Sequence, residues 1–377
     1  MLLNDLPDVC LWMIFANIYE LEELIQLSKV CSKWANLISE RFKRVKYLVN
    51  YIGDLDVATI CMNYPIETLK HHNLRELLPN LRIVSVYNDF YLDELKVSKF
   101  RKVFNNNPKI KGVIGINKLR KLDLRNIEMI AMDNMVNYLE LFRPDQLKQS
   151  KFEDFDLAYL AEYAEYFPNL KRLHISGFIE KQIFNNIGSK LSNLKILEYF
   201  PIGSDEKLDE FHLIDFCPAL ESAFIRGASD GQYIDASIKN YMLRDLVIEI
   251  PWVEIDLMAW SSMRILLSKF PNLHNLAIRG SGEKFEDNHI KELVELLPEI
   301  KLLDFRESKK FTENSADFLS EYCRESNRPV KIYYDCENEP SEWPKLSTAG
   351  DSVVYGFDFM KHHFYKHFRT LPDLIDE

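Results

Sequence analysis

Of all the residues in this sequence, His363 and His367 have the spacing best suited to binding a metal ion. Four positions apart, their imidazoles would lie one above the other on a helix, and neutral imidazole is a common zinc ligand. A catalytic zinc helix also carries a glutamate directly after the first histidine, but here Phe364 follows, and no cysteine lies nearby. The pattern therefore favours surface histidines on a C-terminal capping helix, and no metal or other cofactor is predicted.

Other catalytic motifs are missing from the sequence. There is no glycine-rich phosphate loop, no G-x-S-x-G elbow and no set of cysteines with metal-ligand spacing. The short cluster Gly280-Ser281-Gly282 follows a predicted strand and indicates a turn. The chain is therefore not predicted to be an enzyme, and no catalytic residue is assigned.

A binding chemistry is indicated instead by side chains at equivalent positions of a repeated phrase. Arginines recur there, and guanidinium groups on neighbouring strands suit bidentate contacts with carboxylates or a phosphorylated segment. In the alternative, each arginine pairs with a neighbouring acid such as Asp123, Glu249 or Asp304 on a solvated face. The residues predicted to bind a substrate are Arg125, His174, Phe200, Phe224, Arg226, Arg279 and Arg306.

The repeated phrase has the form Phe-Pro-Asn-Leu-x-x-Leu-x-Ile. The leucine after Pro-Asn-Leu-x-x, or its equivalent, recurs at intervals of about 23 to 30 residues, the period of a leucine-rich repeat. These anchor positions are Leu122, Ser150, Leu173, Leu197, Ala223, Leu246, Leu276, Leu303 and Tyr333, with Val84 in an earlier repeat and Val113 as an alternative first anchor. Each repeat is predicted to be a strand followed by a helix.

Units of this kind cannot bury their apolar faces singly, so they stack. The predicted fold is α/β, in which N-terminal helices precede a curved solenoid with a concave parallel sheet and convex helices. The aromatic and basic stretch 353–368 either closes the open end of this solenoid or folds back over the concave face. The sequence does not decide between these two arrangements.

Three short helices are predicted before the array. Pro7 suits a first helical turn, and Leu11 and Phe15 form an i, i+4 pair beside a second apolar stripe that contains Cys10 and Ile14. A helix that is apolar around so much of its girth needs more than one neighbour. One of these neighbours must come from outside so small a unit.

The run from Leu6-Pro7 to Trp34 resembles an F-box, the motif that binds the Skp-type adaptor of cullin-RING ubiquitin ligases. The resemblance covers residues 4–45, and the array resembles the leucine-rich repeats of F-box proteins. It departs from the usual pattern at Cys10-Leu11-Trp12 and at Arg41-Phe42. The resemblance implies an adaptor-binding set, which sequence alone does not divide between core and surface: Leu6, Pro7, Ile14, Phe15, Leu24, Leu27, Val30, Cys31 and Trp34.

Composition narrows the class of protein. The 377 residues are 47% hydrophobic and carry a net charge of −11, which opposes nucleic-acid binding. The six cysteines are scattered, as expected in a reducing cytoplasm or nucleus. Asn4, Asp5 and Asp8 interrupt any signal-peptide core, and no apolar run reaches the ~18 residues of a membrane span.

The resemblance implies a substrate-recognition subunit of a Skp-cullin-F-box ubiquitin ligase. The expected domains are the F-box helices at 1–45, the repeats at 46–350 and a C-terminal capping segment or tail at 351–377. The expected partners are a Skp-type adaptor, a cullin reached through it, and a protein substrate, without nucleic acid or membrane. The alternative is an interaction scaffold outside any ligase. Substrate identity, a required modification or small ligand, self-association and nuclear or cytosolic residence stay open.

Overall fold

The computed structural model describes two compact units. Unit 1 consists of Met1–Leu147, Ala349–Tyr355 and Pro372–Glu377, and unit 2 of Lys148–Thr348 and Gly356–Leu371. The residues described within them, to which the following observations apply, are 3–50, 56–62, 72–86, 102–104, 106–115, 124–132, 142–156, 167–178, 191–201, 211–231, 233–250, 257–280 and 284–377.

Unit 1 begins with three helices. After a 3₁₀ turn at Leu3–Asp5 come α1 (Asp8–Ala16), α2 (Leu21–Leu27) and α3 (Ser32–Phe42). Phe15 and Trp34 join α1 to α3 edge to face, with ring centroids 5.2 Å apart. The side chains that share this small core are Leu11, Phe15, Leu21, Leu24, Ile25, Trp34 and Ile38.

Five short parallel strands follow in unit 1. They are β1 (Tyr47–Val49), β2 (Thr59–Cys61), β3 (Ile83–Ser85), β4 (Gly112–Ile114) and β5 (Met129–Met132), with the helix α4 (Leu74–Leu77) before β3. Their order in the sheet is β2-β1-β3-β4-β5. Almost every strand residue is buried, as in sheets covered on both faces.

Unit 2 contains eight more parallel strands, each beside its neighbour in sequence. They are β6 (Gln149–Asp156), β7 (Arg172–Phe178), β8 (Ile196–Pro201), β9 (Ser222–Arg226), β10 (Asp245–Glu249), β11 (Asn275–Arg279), β12 (Leu302–Asp304) and β13 (Lys331–Tyr333). The described helices of this unit are α5 (His212–Asp215), α6 (Trp260–Leu267), α7 (His289–Leu296) and α8 (Glu313–Ser326). Helices followed by parallel repeat strands confirm the predicted α/β repeat architecture.

The strand register confirms most anchor positions. Ser150 pairs with Leu173, and the same row continues through the anchors of β8 to β12, all of them buried. Val84 likewise pairs with Val113 in unit 1. The last anchor is wrong by one residue, because Ile332 pairs with Leu303. A slip of one residue turns a side chain to the other face of the sheet, where the Tyr333 ring meets Trp343.

A tight turn precedes most repeat strands and determines where each strand begins. The amide of the fourth residue of the phrase donates to the carbonyl of the first, as from Leu170 to Phe167 at 3.0 Å. Proline suits the second position because its fixed φ matches such a turn. The same bond joins Ile127 to Leu124 at 2.9 Å, so 124–127 is the turn before β5.

The predicted strand position of Arg125 is therefore wrong. Arg125 lies at the second position of this turn, exposed, and the strand begins only at Met129. The turn reads Leu124-Arg125-Asn126-Ile127 and so lacks both the proline and the Asn-Leu pair of the repeated phrase, and the strand is predicted too early. Leu122 and Asp123, to which that prediction was tied, lie outside the described residues.

The C-terminal stretch returns to both units. β14 (Val353–Tyr355) and β15 (Leu374–Asp376) pair in parallel within unit 1, where Leu374 joins a cluster that includes Tyr47 and Ile83. The residues between them, 356–371, belong to unit 2 and are called the C-terminal loop here. The loop packs on the middle of the sheet near β10, so the fold-back arrangement is the one observed.

Candidate functional sites

Helix α1 exposes an apolar surface. Leu11 and Phe15 turn inward and are almost fully buried, whereas Val9 and Met13 on the opposite side are 69% and 62% exposed. Ile14 is 38% exposed beside them. The i, i+4 pair of Val9 and Met13, with Ile14 beside it, thus faces solvent although such side chains are normally buried. Such a surface typically marks a binding site for another protein.

The structure divides the predicted adaptor-binding residues between core and surface. Those in the core are Phe15, Leu24 and Trp34; those partly covered are Leu6, Leu27 and Cys31; those exposed are Pro7, Ile14 and Val30. The prediction omitted three exposed apolar residues, Leu3, Val9 and Met13. The apolar girth of α1 was the signal that could have identified the last two. We call Leu3, Pro7, Val9, Met13, Ile14 and Val30 the apolar helix surface.

Polar contacts hold the N-terminal turn beside the α2–α3 junction. Lys33 donates from Nζ to the carbonyl of Leu6 at 2.9 Å and lies 3.2 Å from the Asp8 carboxylate. The Cys31 thiol contacts the Asn4 side chain at 3.6 Å. These contacts fix the start of α1 relative to α3. The exposed residues of α1 are therefore presented by a defined backbone.

Arg41 joins the end of α1 to α3. Its guanidinium is fully buried and donates to the carbonyls of Ala16 at 2.8 Å and Ile18 at 2.7 Å. Carbonyls at a helix C-terminus have no hydrogen-bond donor within the helix, and the Arg41 guanidinium supplies one here. Burial lowers the pKa of Arg41, with Tyr19 and Asp56 acting in the opposite direction.

Arg41→Met should lower the free energy of unfolding by about 2 kcal/mol, because two partly buried carbonyls would lose a charged donor. Urea unfolding followed by circular dichroism measures this change. The matched control is Lys43→Ala, an exposed residue of the same region, with an expected change within about 0.5 kcal/mol. Equal stability of the two variants would contradict the structural role of Arg41.

The second candidate site is one face of the unit 2 sheet, called the polar face. It carries two rows of side chains that alternate with the buried anchors. The first row is His174, Glu198, Phe224, Val247, Ala277 and Asp304, and the second contains Ser176, Phe200, Arg226, Glu249 and Arg279, with Arg306 beyond the end of β12. Five of the seven predicted substrate-binding residues lie on these strands.

Glu198 is the centre of a buried ionic cluster on the polar face. Arg172 donates to both of its oxygens at 2.8 Å, and His174 Nδ1 lies 2.7 Å from Oε2. His363 of the C-terminal loop places Nε2 2.8 Å from Oε1. Burial alone would raise the pKa of Glu198, but Arg172, His363 and His174 hold it well below its ordinary value.

The arginines of the polar face are also paired with acids. Arg226 lies 3.0 Å from Glu249, and Arg279 lies 2.9 Å from Asp304, which Arg306 contacts as well. Pairing with neighbouring acids is thus the arrangement observed. The expectation of a solvated face is wrong, because the C-terminal loop covers it and Arg279 and Asp304 are fully buried.

An aromatic cup lies beside these ion pairs. The ring of Phe368, from the C-terminal loop, lies 4.7 Å from His174 and 5.7 Å from both Phe200 and Phe224, measured between centroids. Phe368 is 4% exposed. Three residues predicted to bind a substrate are therefore brought together, and an aromatic side chain of the same protein fills the space between them.

The expectation of surface histidines is wrong for His363. It lies in a one-turn π-helix, Met360–Phe364, and is fully buried against Glu198, while His367 is about a quarter exposed beside Glu249. The sequence of the loop does not contain its acidic partners, so burial was not visible from it. Within the described residues, no group of three or more histidine, cysteine, aspartate or glutamate side chains is arranged to hold a metal.

Stability should fall between pH 7 and pH 5. Burial lowers the pKa of His174 to about 4 from 6.5, with Lys151 adding to the effect and Glu198 opposing it. The unfolded chain would then take up a proton that folded His174 does not, so stability is lost as the pH falls below about 6.5. At 1.36 kcal/mol per pKa unit, His174 alone accounts for about 2 kcal/mol at pH 5.

Neighbouring histidines modify this pH dependence. Burial also lowers the pKa of His363, despite the attraction of Glu198. A hydrogen bond to Glu249 raises the pKa of His367, whose stabilising contribution is present at low pH and is lost as the pH rises. Urea unfolding of wild type and His174→Gln at both pH values checks the assignment. The variant should show the smaller difference, and an unchanged difference would contradict the role of His174.

Arg125 belongs to unit 1, whereas the polar face belongs to unit 2. With Asn126, Arg143, Leu124 and Ile127, Arg125 lines a cavity of about 460 Å³. The Arg143 guanidinium donates to the carbonyl of Arg125 at 3.1 Å. Arg125 is thus not at a strand position equivalent to those of Arg226 and Arg279. None of the helices in the described stretches is both long and apolar enough to span a membrane.

Comparison with known proteins bears on the N-terminal helices. Residues 3–45 match the family model described as F-box-like. The matched residues contain α1, α2 and α3 together with the apolar helix surface. The first helices of unit 1 are thus an F-box-like domain, as the sequence predicted.

The similarities to solved structures are weaker. One is a chain of the crystal structure of the Rad7 and Elc1 complex in yeast, at 10% identity, covering 82% of this chain and 90% of that one with a TM-score of 0.34. Another is the TLR13–ssRNA13 complex, at 12% identity, with 70% and 37% covered and a TM-score of 0.39. Both TM-scores are low, and neither similarity indicates a function for this chain. A comparison with curated proteins gave no match.

Proposed function

We propose that this chain is the substrate-recognition subunit of a Skp-cullin-F-box-type ubiquitin ligase. The F-box-like domain binds a Skp-type adaptor and, through it, a cullin, while the repeat strands of unit 2 provide the platform for a protein substrate. The chain itself performs no catalysis. Other subunits transfer ubiquitin, and the receptor acts by raising the effective concentration of substrate lysines near the ubiquitin donor.

The observation that carries this proposal is the apolar helix surface on a domain that matches the F-box-like model. Its members Val9 and Met13 lie one helical turn apart and are mostly exposed, and neighbouring exposed apolar side chains typically mark a protein-binding surface. Desolvated aliphatic anchors at the centre of an interface provide much of the binding energy in protein complexes. We also propose residence in the cytoplasm or nucleus, which the six free thiols support.

Isothermal titration of residues 1–377 with a purified Skp-type adaptor tests the proposal. We expect a complex of one receptor with one adaptor and sub-micromolar affinity. Circular dichroism checks that the chain is folded, and gel filtration checks whether it co-elutes with the adaptor. A folded chain that gives neither binding heat nor co-elution would overturn the ligase function. The chain would then be an interaction scaffold outside the ligase.

A further inference from the structure

The polar face of unit 2 holds a segment of its own chain as a binding site would hold a peptide. The C-terminal loop covers it with His363, Phe364 and Phe368, which are 0%, 0% and 4% exposed. The loop is sixteen residues long by its bounds, 356–371, and its two ends lead into the paired strands β14 and β15. It therefore remains tethered at both ends, whether docked or displaced.

Part of this contact recognises the backbone of the loop. Arg279 donates from Nη1 to the carbonyl of Lys366 at 2.9 Å and from Nη2 to that of Phe364. In return, Glu249 Oε2 accepts a hydrogen bond from the amide of Phe368 at 2.9 Å. These three bonds fix an irregular main chain on the face. They would hold any segment able to adopt the same backbone.

The remaining contacts select two neighbouring side chains. His367 lies between two carboxylates, with Nδ1 3.4 Å from Glu249 and Nε2 3.5 Å from Glu307. The next residue, Phe368, fills the cup of His174, Phe200 and Phe224. One subsite therefore accepts a cation and the adjacent subsite an aromatic ring.

The charges of the face do not favour an acidic segment. The guanidinium groups that could attract one already contact Glu198, Glu249 or Asp304 over 2.8 to 3.0 Å. The carboxylates Glu249 and Glu307 flank the position next to the aromatic cup, where an acidic side chain would be repelled.

We propose that the polar face binds protein segments in which a cationic residue directly precedes an aromatic one, and that the C-terminal loop occupies this site as an internal ligand. This inference rests on the proposed function, since it names the substrate class of the receptor. A substrate must displace the loop. Because the loop is tethered, its high local concentration keeps the site closed to weak or mismatched segments.

A fluorescent sixteen-residue peptide with the sequence of residues 356–371 tests the proposal by anisotropy on the full chain. In the variant His367→Ser/Phe368→Ala the loop is weakened, and we expect the peptide to bind at least about tenfold more tightly than to wild type, where the loop competes. Peptides carrying Glu at the position of His367, or Ala at that of Phe368, should bind at least about tenfold more weakly than the parent peptide.

Controls separate binding from folding. Glu249→Gln in the weakened background should reduce peptide binding, whereas Glu153→Gln, which removes an acid that contacts Lys151, should not. If the double variant fails to fold by circular dichroism, His367→Ser alone replaces it, since that side chain is a quarter exposed. A folded variant that does not bind the peptide, or that binds the Glu peptide equally well, overturns the proposal.

The adaptor titration distinguishes this inference from the proposed function. A weakened variant that binds the adaptor normally but not the peptide removes only the inferred substrate class. A chain that binds the peptide but no adaptor removes the ligase function and leaves a basic-aromatic reader outside the ligase.

Discussion

Adaptor affinity should fall by about a hundredfold when Met13 is replaced by glutamate. Met13 lies on α1 and is 62% exposed, so its replacement leaves the core of the three helices intact. In the complex, however, a carboxylate would be buried without a partner. A cost of about 3 kcal/mol corresponds to about two powers of ten in the dissociation constant.

Titration calorimetry with the purified adaptor measures this loss, and thermal unfolding confirms that the variant is folded. The matched control is Met242→Glu, because Met242 is a similarly exposed methionine of unit 2, at 47%. It should bind the adaptor as wild type does. Equal affinities of the Met13 and Met242 variants would mean that the adaptor does not bind the apolar helix surface.

Glu198→Leu should lower the free energy of unfolding by about 3 to 5 kcal/mol. Glu198 is fully buried and neutralises Arg172, which is 1% exposed. Without the carboxylate, Arg172 becomes an uncompensated buried cation, His174 loses its hydrogen-bond partner, and His363 loses the carboxylate beside its ring. Urea unfolding at pH 7 measures the effect.

A second substitution distinguishes lost charge compensation from lost packing. In Arg172→Met/Glu198→Leu both charges of the pair are absent, and apolar replacements of similar volume often restore most of the stability. The double variant should therefore be more stable than Glu198→Leu alone. A double variant that is less stable would show that the shape of this cluster matters more than its charge balance.

The features that sequence predicted well are local. Leu-Pro at the start of α1 and the Pro-Asn-Leu turns act within a few residues, so they revealed the F-box-like helices and the repeat strands before any contact was known. Arg125 shows the limit of this reasoning, since its turn lacks the proline found in most of the others. Tyr333 shows another limit. The neighbouring residue Ile332 is also apolar, so the sequence pattern does not show which of the two is paired with Leu303.

The features that sequence missed depend on distant partners. The sequence around His363 does not indicate that Glu198 will be its partner. Likewise, the sequence around Arg279 does not indicate that the carbonyls of Phe364 and Lys366 will bind its guanidinium. The alternation of a strand shows which side chains share a face but not whether that face meets water. For α1 the difficulty is the reverse. Its apolar residues surround the helix, and only the packing shows that Val9 and Met13 lie on its uncovered side.

The C-terminal loop has a further consequence for the number of repeats. Each strand of a repeat array contacts only its neighbours, so such arrays usually tolerate the gain or loss of a unit. Here one short loop contacts Glu198 in β8, Glu249 in β10 and Arg279 in β11 at the same time. Duplication or deletion of a repeat between β8 and β11 would separate these contacts by a strand spacing, about 4.8 Å. The loop can therefore make all of its contacts only when the number of strands between β8 and β11 is unchanged. In this way it restricts the length of this part of the array.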